Sequence, residues 1–252
     1  MIFRIVGRSC WFAAEVSWAV LDYVLRAAFA PPAAKRGARA AWLQRASRRH
    51  LRIFKYSATV SGPIPQRGLL VSNHLSYLDI LVISAITPAV FVSKAEVRKW
   101  PLFGWLAMLA GTVFVNRERR TQVGKTNREI EQALAENALV TLFPEGTSSN
   151  GKQLLPFKTS LLEPVAQNSH NIALCCVHYE MTDGDASNDV CYWGDHSFFS
   201  HLINLAGKRS IHAEIRFSKF KKETTDRKEL ARQLYDAVAA LKNEPDAVRA
   251  RI

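Results

Sequence analysis

A histidine and an aspartate stand five residues apart, at His74 and Asp79, within the stretch Ser-Asn-His-Leu-Ser-Tyr-Leu-Asp-Ile, residues 72–80. A neutral imidazole whose second nitrogen is held by a carboxylate is a good general base near neutral pH. Such a base can take a proton from a hydroxyl as that hydroxyl attacks an acyl carbonyl. Inside one regular helix, five residues would turn the two side chains about 140° apart. They converge if His74 lies in a turn between a strand and a helix, with Asp79 one turn inside the helix. The apolar run Gly68-Leu69-Leu70-Val71 and the helical pattern after Ser76 allow that placement. Taken alone, the pair is no more than a helix-capping turn with a satisfied histidine.

Two other stretches carry chemistry of a compatible kind. In residues 141–151, an apolar run ending at Phe143 leads into Pro144-Glu145-Gly146 and then Thr147 and two serines. Gly146 permits close backbone approach to a ligand, and successive amides after it can form an anion nest. Glu145 offers a carboxylate to a polar substrate group. In residues 111–117, Arg117 ends a strand-like run, on the side where α/β sheets bind ligands. Arginine suits a bidentate grip on phosphate, and Lys94, after an apolar run at 89–93, can add a second positive charge. The segment 146–153 nearly fits a nucleotide-binding phosphate loop. Its last residue is Gln153, without a hydroxyl for magnesium, and Pro156 falls where a helix would have to run, which excludes that chemistry.

These stretches need a scaffold of alternating strands and helices. Runs at 51–60, 68–72, 89–93, 112–116, 138–143, 172–179 and 211–217 are strand-like; those at 77–86, 101–110, 121–136, 158–167, 197–206 and 226–242 are helical. Asp226 and Glu229 form a capping pair for the last helix. The alternation predicts an α/β fold, a mostly parallel, partly mixed sheet flanked by helices. Residues 100–116 carry no charge, but Pro101, Gly104 and Gly111 break them into a short buried helix and a strand rather than a span. Trp100, Phe103 and Trp105 suit either the core or the neighbourhood of an acyl chain. Cys10, Cys175, Cys176 and Cys191 form no C-x-x-C pair, which indicates reduced cysteines rather than a disulfide framework.

The net charge of +12 is unevenly spread. Residues 1–56 hold eleven Lys/Arg against Glu15 and Asp22, so 11 − 2 = +9 of it lies there. In the first thirty residues the charges at 4, 8, 15, 22 and 26 fall within about a 40° sector of a helix. That makes a narrow charged stripe on an otherwise apolar cylinder. Its uncharged runs fall short of the ~18 residues a spanning helix needs, so it is expected to lie in a membrane interface, aided by Trp11, Trp18 and Tyr23; the alternative is a helix that caps the protein core. Ala28-Phe29-Ala30 resembles a signal-peptide cleavage site, but Glu15 and Asp22 interrupt the apolar region. Pro31-Pro32 ends this helix, and residues 34–50 give a basic helix suited to an anionic bilayer. The expected organisation is a helical membrane motif over 1–50 and an α/β domain over 51–252. Charge alone would also suit nucleic acid, but neither zinc-finger spacing nor an RNA-binding aromatic signature supports that partner.

Taken in order, the three stretches resemble the glycerolipid acyltransferase family, the lysophosphatidic acid acyltransferase group. Asn73, His74 and Asp79 match its Asn-His-x-x-x-x-Asp motif; Gly111 to Arg117 and Phe143-Pro144-Glu145-Gly146-Thr147 look like its second and third. The resemblance implies that His74, oriented by Asp79, deprotonates a lysophospholipid hydroxyl. That hydroxyl attacks the thioester of acyl-CoA or acyl carrier protein directly. Arg117, with Lys94, would hold the acceptor phosphate; Glu145, Gly146 and Thr147 would bind the acceptor and help stabilise the oxyanion. The implied acceptor is 1-acyl-sn-glycerol-3-phosphate, giving phosphatidic acid. The implied place is the cytoplasmic face of the inner membrane, peripheral or monotopic, among membrane lipids. No cofactor or metal is implied, and the other histidines form no H-E-x-x-H pattern. Two departures bear on the acceptor: Ser148 stands where the third motif commonly has arginine, and Leu174-Cys175-Cys176-Val177 lacks the proline of the fourth. A lyso-ornithine lipid would need less phosphate grip. A non-catalytic lipid-binding protein on the same fold is the competing class; an ester hydrolase finds no Gly-x-Ser-x-Gly.

Overall fold

The apolar runs of the sequence lie side by side in one sheet. A computed structural model describes residues 2–116, 120–244 and 250–251. Its strands are β1 (Tyr56–Ser61), β2 (Gly68–Ser72), β3 (Val90–Lys94), β4 (Val113–Val115), β5 (Leu139–Leu142), β6 (Ile172–Met181), β7 (Ile211–Phe220) and β8 (Ala250–Arg251). Their order across the sheet is β4-β3-β5-β2-β6-β7-β1-β8. All pairings are parallel except β6 with β7 and β1 with β8, as expected for a mostly parallel, partly mixed sheet. β2 lies at the centre with all five residues buried, which is why it reads as an unbroken apolar run. It is entered through Gly68 at φ 97°, where a Cβ would come 2.4 Å from the Asn171 carbonyl oxygen, so only glycine fits.

The helices are α1 (Ile2–Tyr23), α2 (Pro32–Phe54), α3 (Leu78–Ile86), α4 (Phe103–Leu109), α5 (Arg120–Ala135), α6 (Glu163–Gln167), α7 (Ala186–Asp189), α8 (Phe198–Gly207) and α9 (Arg227–Asn243), with a 3₁₀ turn at Ala95–Lys99. One core lies on the α3 and α8 side of the sheet and includes Leu78, Val82, Cys175 and Leu205. The other lies beneath α5, α6 and α9. Three expectations shift in detail. α2 runs to Phe54 and stops at Lys55 in a left-handed conformation, so the first strand starts at Tyr56 rather than 51. The helix expected over 158–167 shrinks to Glu163–Gln167, because Pro164 is tolerated only in a first turn. Asp226 caps α9 through the amides of Lys228 and Glu229, whereas the Glu229 carboxylate turns to Arg232.

The N-terminal helix pair is built differently from the sequence expectation. The charged stripe of α1 faces the protein: Arg8, Glu15 and Asp22 are buried. Glu15 pairs with Arg49 at 2.6 Å and Asp22 with Arg45 at 3.0 Å, joining α1 to α2. Other arginines donate to the carbonyls that helix C-termini leave unpaired. Arg48 Nε reaches Ala85 O of α3 at 2.7 Å, and Arg39 Nε reaches Leu109 O of α4 at 2.7 Å. Arg4 reaches Gly207 O of α8 at 2.9 Å, and Arg8 reaches Ala206 O at 3.0 Å. Arg36 pairs with Glu136, and Arg26 with Asp22. Thus eight of the eleven basic residues within 1–56 have partners within the chain. The apolar side of α1 faces outward instead, with Phe3 95% and Trp11 66% exposed, and Leu25 and Phe29 in the segment after it are 70% and 85% exposed. Tyr23 turns inward against Trp42, with ring centroids 5.5 Å apart. No described helix is long and apolar enough to cross a membrane.

Candidate active site

At the end of β2 the chain leaves the sheet, but Asn73 continues the ladder with its side chain. Its Nδ2 donates to Val177 O at 2.9 Å and its Oδ1 accepts from Val177 N at 2.8 Å, both on β6. His74 follows in the turn, and Asp79 lies in the first turn of α3. The Asp79 carboxylate folds back over that turn. Its Oδ2 accepts from the amides of Leu75 at 2.7 Å and Ser76 at 3.0 Å, and from His74 Nδ1 at 2.7 Å. Its Oδ1 accepts from the Tyr179 hydroxyl at 2.8 Å. Oδ2 already accepts two main-chain N–H groups, so the ring nitrogen facing it is the donor of their bond. His74 therefore carries its proton on Nδ1, and Nε2, which has no hydrogen-bond partner among the described residues, is the basic nitrogen. The imidazole stacks on Phe143 with centroids 4.1 Å apart and remains one-fifth exposed. The strand–turn–helix placement required for the pair to converge is met.

Glu145 grips the same turn from the other side. After β5 its carboxylate accepts from His74 N at 2.6 Å through Oε1 and from Leu155 N at 2.8 Å through Oε2. Burial pushes its pKa up, against the opposing pull of those two amides. The His74 carbonyl accepts from Ser149 N at 2.9 Å. Thus the main chain of His74 is held at its amide by Glu145 and at its carbonyl by Ser149, one residue beyond the Asn73 clamp. Both carboxylate oxygens of Glu145 serve the main chain. The amide of Gly146, at φ 74°, closes a turn to Phe143 O at 3.1 Å. The amides of Thr147 and Ser148 make no hydrogen bond among the described residues, and the Thr147 side chain is exposed. The Ser148 hydroxyl donates to Tyr192 O. Lys94 is exposed at the end of β3. Arg117 lies outside the described residues.

An apolar cavity of about 180 Å³ lies beside the site, between α1 and α2 on one side and α3, α4 and α8 on the other. Phe12, Trp42, Leu78, Phe91, Phe103 and Leu202 are among the residues lining it. Phe91 leads back to the site: its ring lies 6.2 Å from Phe143, which stacks on His74. Trp100 and Phe103 also line this cavity, while Trp105 turns outward. No described group of three or more His, Cys, Asp or Glu side chains is arranged to hold a metal ion. Sequence reasoning missed Tyr179, a polar tip on a strand otherwise read as core. It also missed the clamping role of Asn73, whose partners are main-chain atoms 104 residues away.

Comparison with known proteins agrees with this geometry. Residues 57–179 match the family model described as Acyltransferase. The lyso-ornithine lipid O-acyltransferase of Brucella abortus is 39% identical over 188 residues, covering 69% of this chain and 70% of that protein. The 1-acyl-sn-glycerol-3-phosphate acyltransferase of Neisseria gonorrhoeae is 37% identical over 146 residues, covering 53% of this chain and 57% of that protein. The crystal structure of the 1-acyl-sn-glycerophosphate acyltransferase from Thermotoga maritima superposes with a TM-score of 0.64 at 16% identity, covering 98% of each chain, and so shares the fold. With His74 and Asp79 joined at the end of the central strand, the chain belongs to the glycerolipid acyltransferase family.

Proposed function

We propose that the protein transfers a fatty acyl group from a thioester, acyl-CoA or acyl carrier protein, to the free hydroxyl of a lysolipid. The observation that carries this is the 2.7 Å bond between His74 Nδ1 and Asp79, which leaves Nε2 as a base in a turn whose Tyr77 and Leu78 line an apolar cavity. Nε2 takes the proton of the acceptor hydroxyl as its oxygen bonds to the thioester carbonyl carbon. The tetrahedral intermediate carries its negative charge on the former carbonyl oxygen. Amide donors aimed at such an oxygen stabilise it, and those of Thr147 and Ser148 are available. The carbon–sulfur bond then breaks, the electron pair leaves on sulfur, and His74 returns its proton to the thiolate. Asp79 supports the imidazolium that forms between the two proton transfers. The cavity takes the acyl chain, whose apolar surface matches its lining.

The acceptor is either 1-acyl-sn-glycerol-3-phosphate or a lyso-ornithine lipid, the substrates named for the Neisseria and Brucella relatives. Ser148 favours the second: a hydroxyl turned to the Tyr192 carbonyl stands where a guanidinium would face a phosphate. Lys94, exposed at the end of β3, would then serve the ornithine carboxylate. The outward apolar side of α1, with Phe3 exposed and its charged stripe buried, and the exposed Phe29 after it, support a membrane position, where lipid covers such a surface. Phe199 and Ile203 of α8, each 56% exposed, continue this surface. The test compares both lysolipids as acceptors of labelled acyl-CoA. Faster transfer to 1-acyl-sn-glycerol-3-phosphate would overturn the acceptor assignment, and undiminished turnover in His74→Ala would overturn the base.

A further inference from the structure

The two oxygens of Asp79 are supplied from different sources. Oδ2 receives three donors from the motif itself: the ring of His74 and the amides of Leu75 and Ser76. Oδ1 receives the Tyr179 hydroxyl, at 2.8 Å, from a residue 100 positions further along the chain. The Asp79 side chain is wholly enclosed, and Tyr179 is 3% exposed. A buried carboxylate oxygen without a donor is costly, and the terminal torsion of aspartate is broad when nothing fixes it. Local chain therefore holds one edge of this carboxylate, and the other edge depends on β6.

That strand supports the base twice. Val177 takes the Asn73 side chain through its main chain, and two residues on, Tyr179 reaches Asp79 with its hydroxyl. Residues two apart on a strand share a face. Cys175, Val177 and Tyr179 accordingly share the core that packs against α3. Burial next to Asp79 pushes the Tyr179 hydroxyl well above its usual pKa, so it remains a donor throughout the working range.

We propose that Tyr179 is a positioning residue of the His74–Asp79 base: its hydroxyl fixes the plane of the carboxylate, so that Oδ2 stays aimed at His74 Nδ1. It also withdraws part of the charge that Asp79 offers to the imidazolium. The proposal rests on His74 being the base. The titratable groups facing Asp79 are His74, Tyr179, Glu145, Cys175 and Cys191. Of these, Tyr179 is the hydroxyl donor, and its strength can be altered in both directions.

The experiment uses the full chain in micelles. Tyr179→Phe keeps the ring and removes the donor; 3-fluorotyrosine in place of Tyr179 keeps the donor and strengthens it. In Tyr179→Phe, kcat falls about 10- to 100-fold with both KM values unchanged. The acidic limb of its pH–rate profile moves to higher pH, because an unshared carboxylate holds the imidazolium more strongly. With 3-fluorotyrosine the limb moves the other way. The low-field proton resonance of His74 Nδ1, assigned by its loss in His74→Ala, shifts in both variants. If His74→Ala is inactive while all three enzymes share one limb and one resonance, Tyr179 has no such role. A loss in Tyr179→Phe that is equal at every pH would mark packing alone and also overturn the proposal. An active His74→Ala would instead remove the base itself, and the role of Tyr179 with it. If Tyr179→Phe fails to fold, the fluorotyrosine shift decides.

Discussion

Replacing Asn73 by alanine separates the clamp from the chemistry it supports. Asn73 is 4% exposed, and its amide holds the Val177 N–H and carbonyl at 2.8 and 2.9 Å. Alanine leaves both main-chain groups buried without partners. Each such group costs about 1–3 kcal/mol, and a water entering the vacated space offsets part, so the expected loss is about 2–4 kcal/mol. For a chain of this size, that lowers the melting temperature by about 4–16 °C. Thermal melts and urea titrations in micelles, followed by circular dichroism, measure it. Because His74 is the next residue, kcat should fall below the melting range while KM for donor and acceptor holds. A variant melting within about 1 °C of the parent would show that the two bonds do not stabilise this turn. A loss expressed wholly in KM would show that Asn73 acts on substrate rather than on His74.

Other perturbations address the remaining parts. Burial holds the Glu145 carboxyl above the usual carboxylate range, so the folded chain binds that proton more tightly than the unfolded chain. Its contribution is fully present below that range and is lost as pH rises through the raised folded value. The stability difference between the parent and Glu145→Gln should fall with pH across this window; a flat difference in urea titrations would refute the assignment. Ala107→Phe narrows the cavity lined by Ala107 and should shorten the longest acyl chain accepted, measured with a series of acyl-CoA lengths; an unchanged preference would place the chain elsewhere. Replacing Phe3, Leu25 and Phe29 together by serine removes apolar groups worth up to about 1.5–3 kcal/mol each in lipid, so vesicle binding should fall by more than about tenfold with melting unchanged. Equal sedimentation would remove α1 and the segment after it from the membrane contact.

The legible parts of this protein are those fixed by local pattern. β2 was readable because both its faces are buried, leaving an unbroken apolar run. His74 and Asp79 were readable because one turn and one helix start bring them together, and three ordered motifs reinforced the placement. Tyr179 was not, since nothing in residues 172–179 distinguishes a tyrosine that only packs from one whose hydroxyl reaches α3. Arg39 and Arg48 of α2 were misread for a related reason: their partners are carbonyl oxygens, which carry no residue signature. Periodicity located the charged stripe of α1 within a narrow sector but could not say which side faced inward. A stripe facing water and one facing buried partners have the same angular pattern; only the ion pairs of Glu15 and Asp22 decide.

Guanidinium groups that cap α3, α4 and α8 make residues 2–54 a wall of the enzyme rather than a detachable tether. A chimera carrying the corresponding segment of a relative would have to match three carbonyl termini and the cavity lining together. Grafts that respect only the hydrophobic exterior would still leave the apolar cavity open to water. Engineering the lipid product by exchanging this segment thus requires moving its docking arginines and their receiving helix ends as one unit.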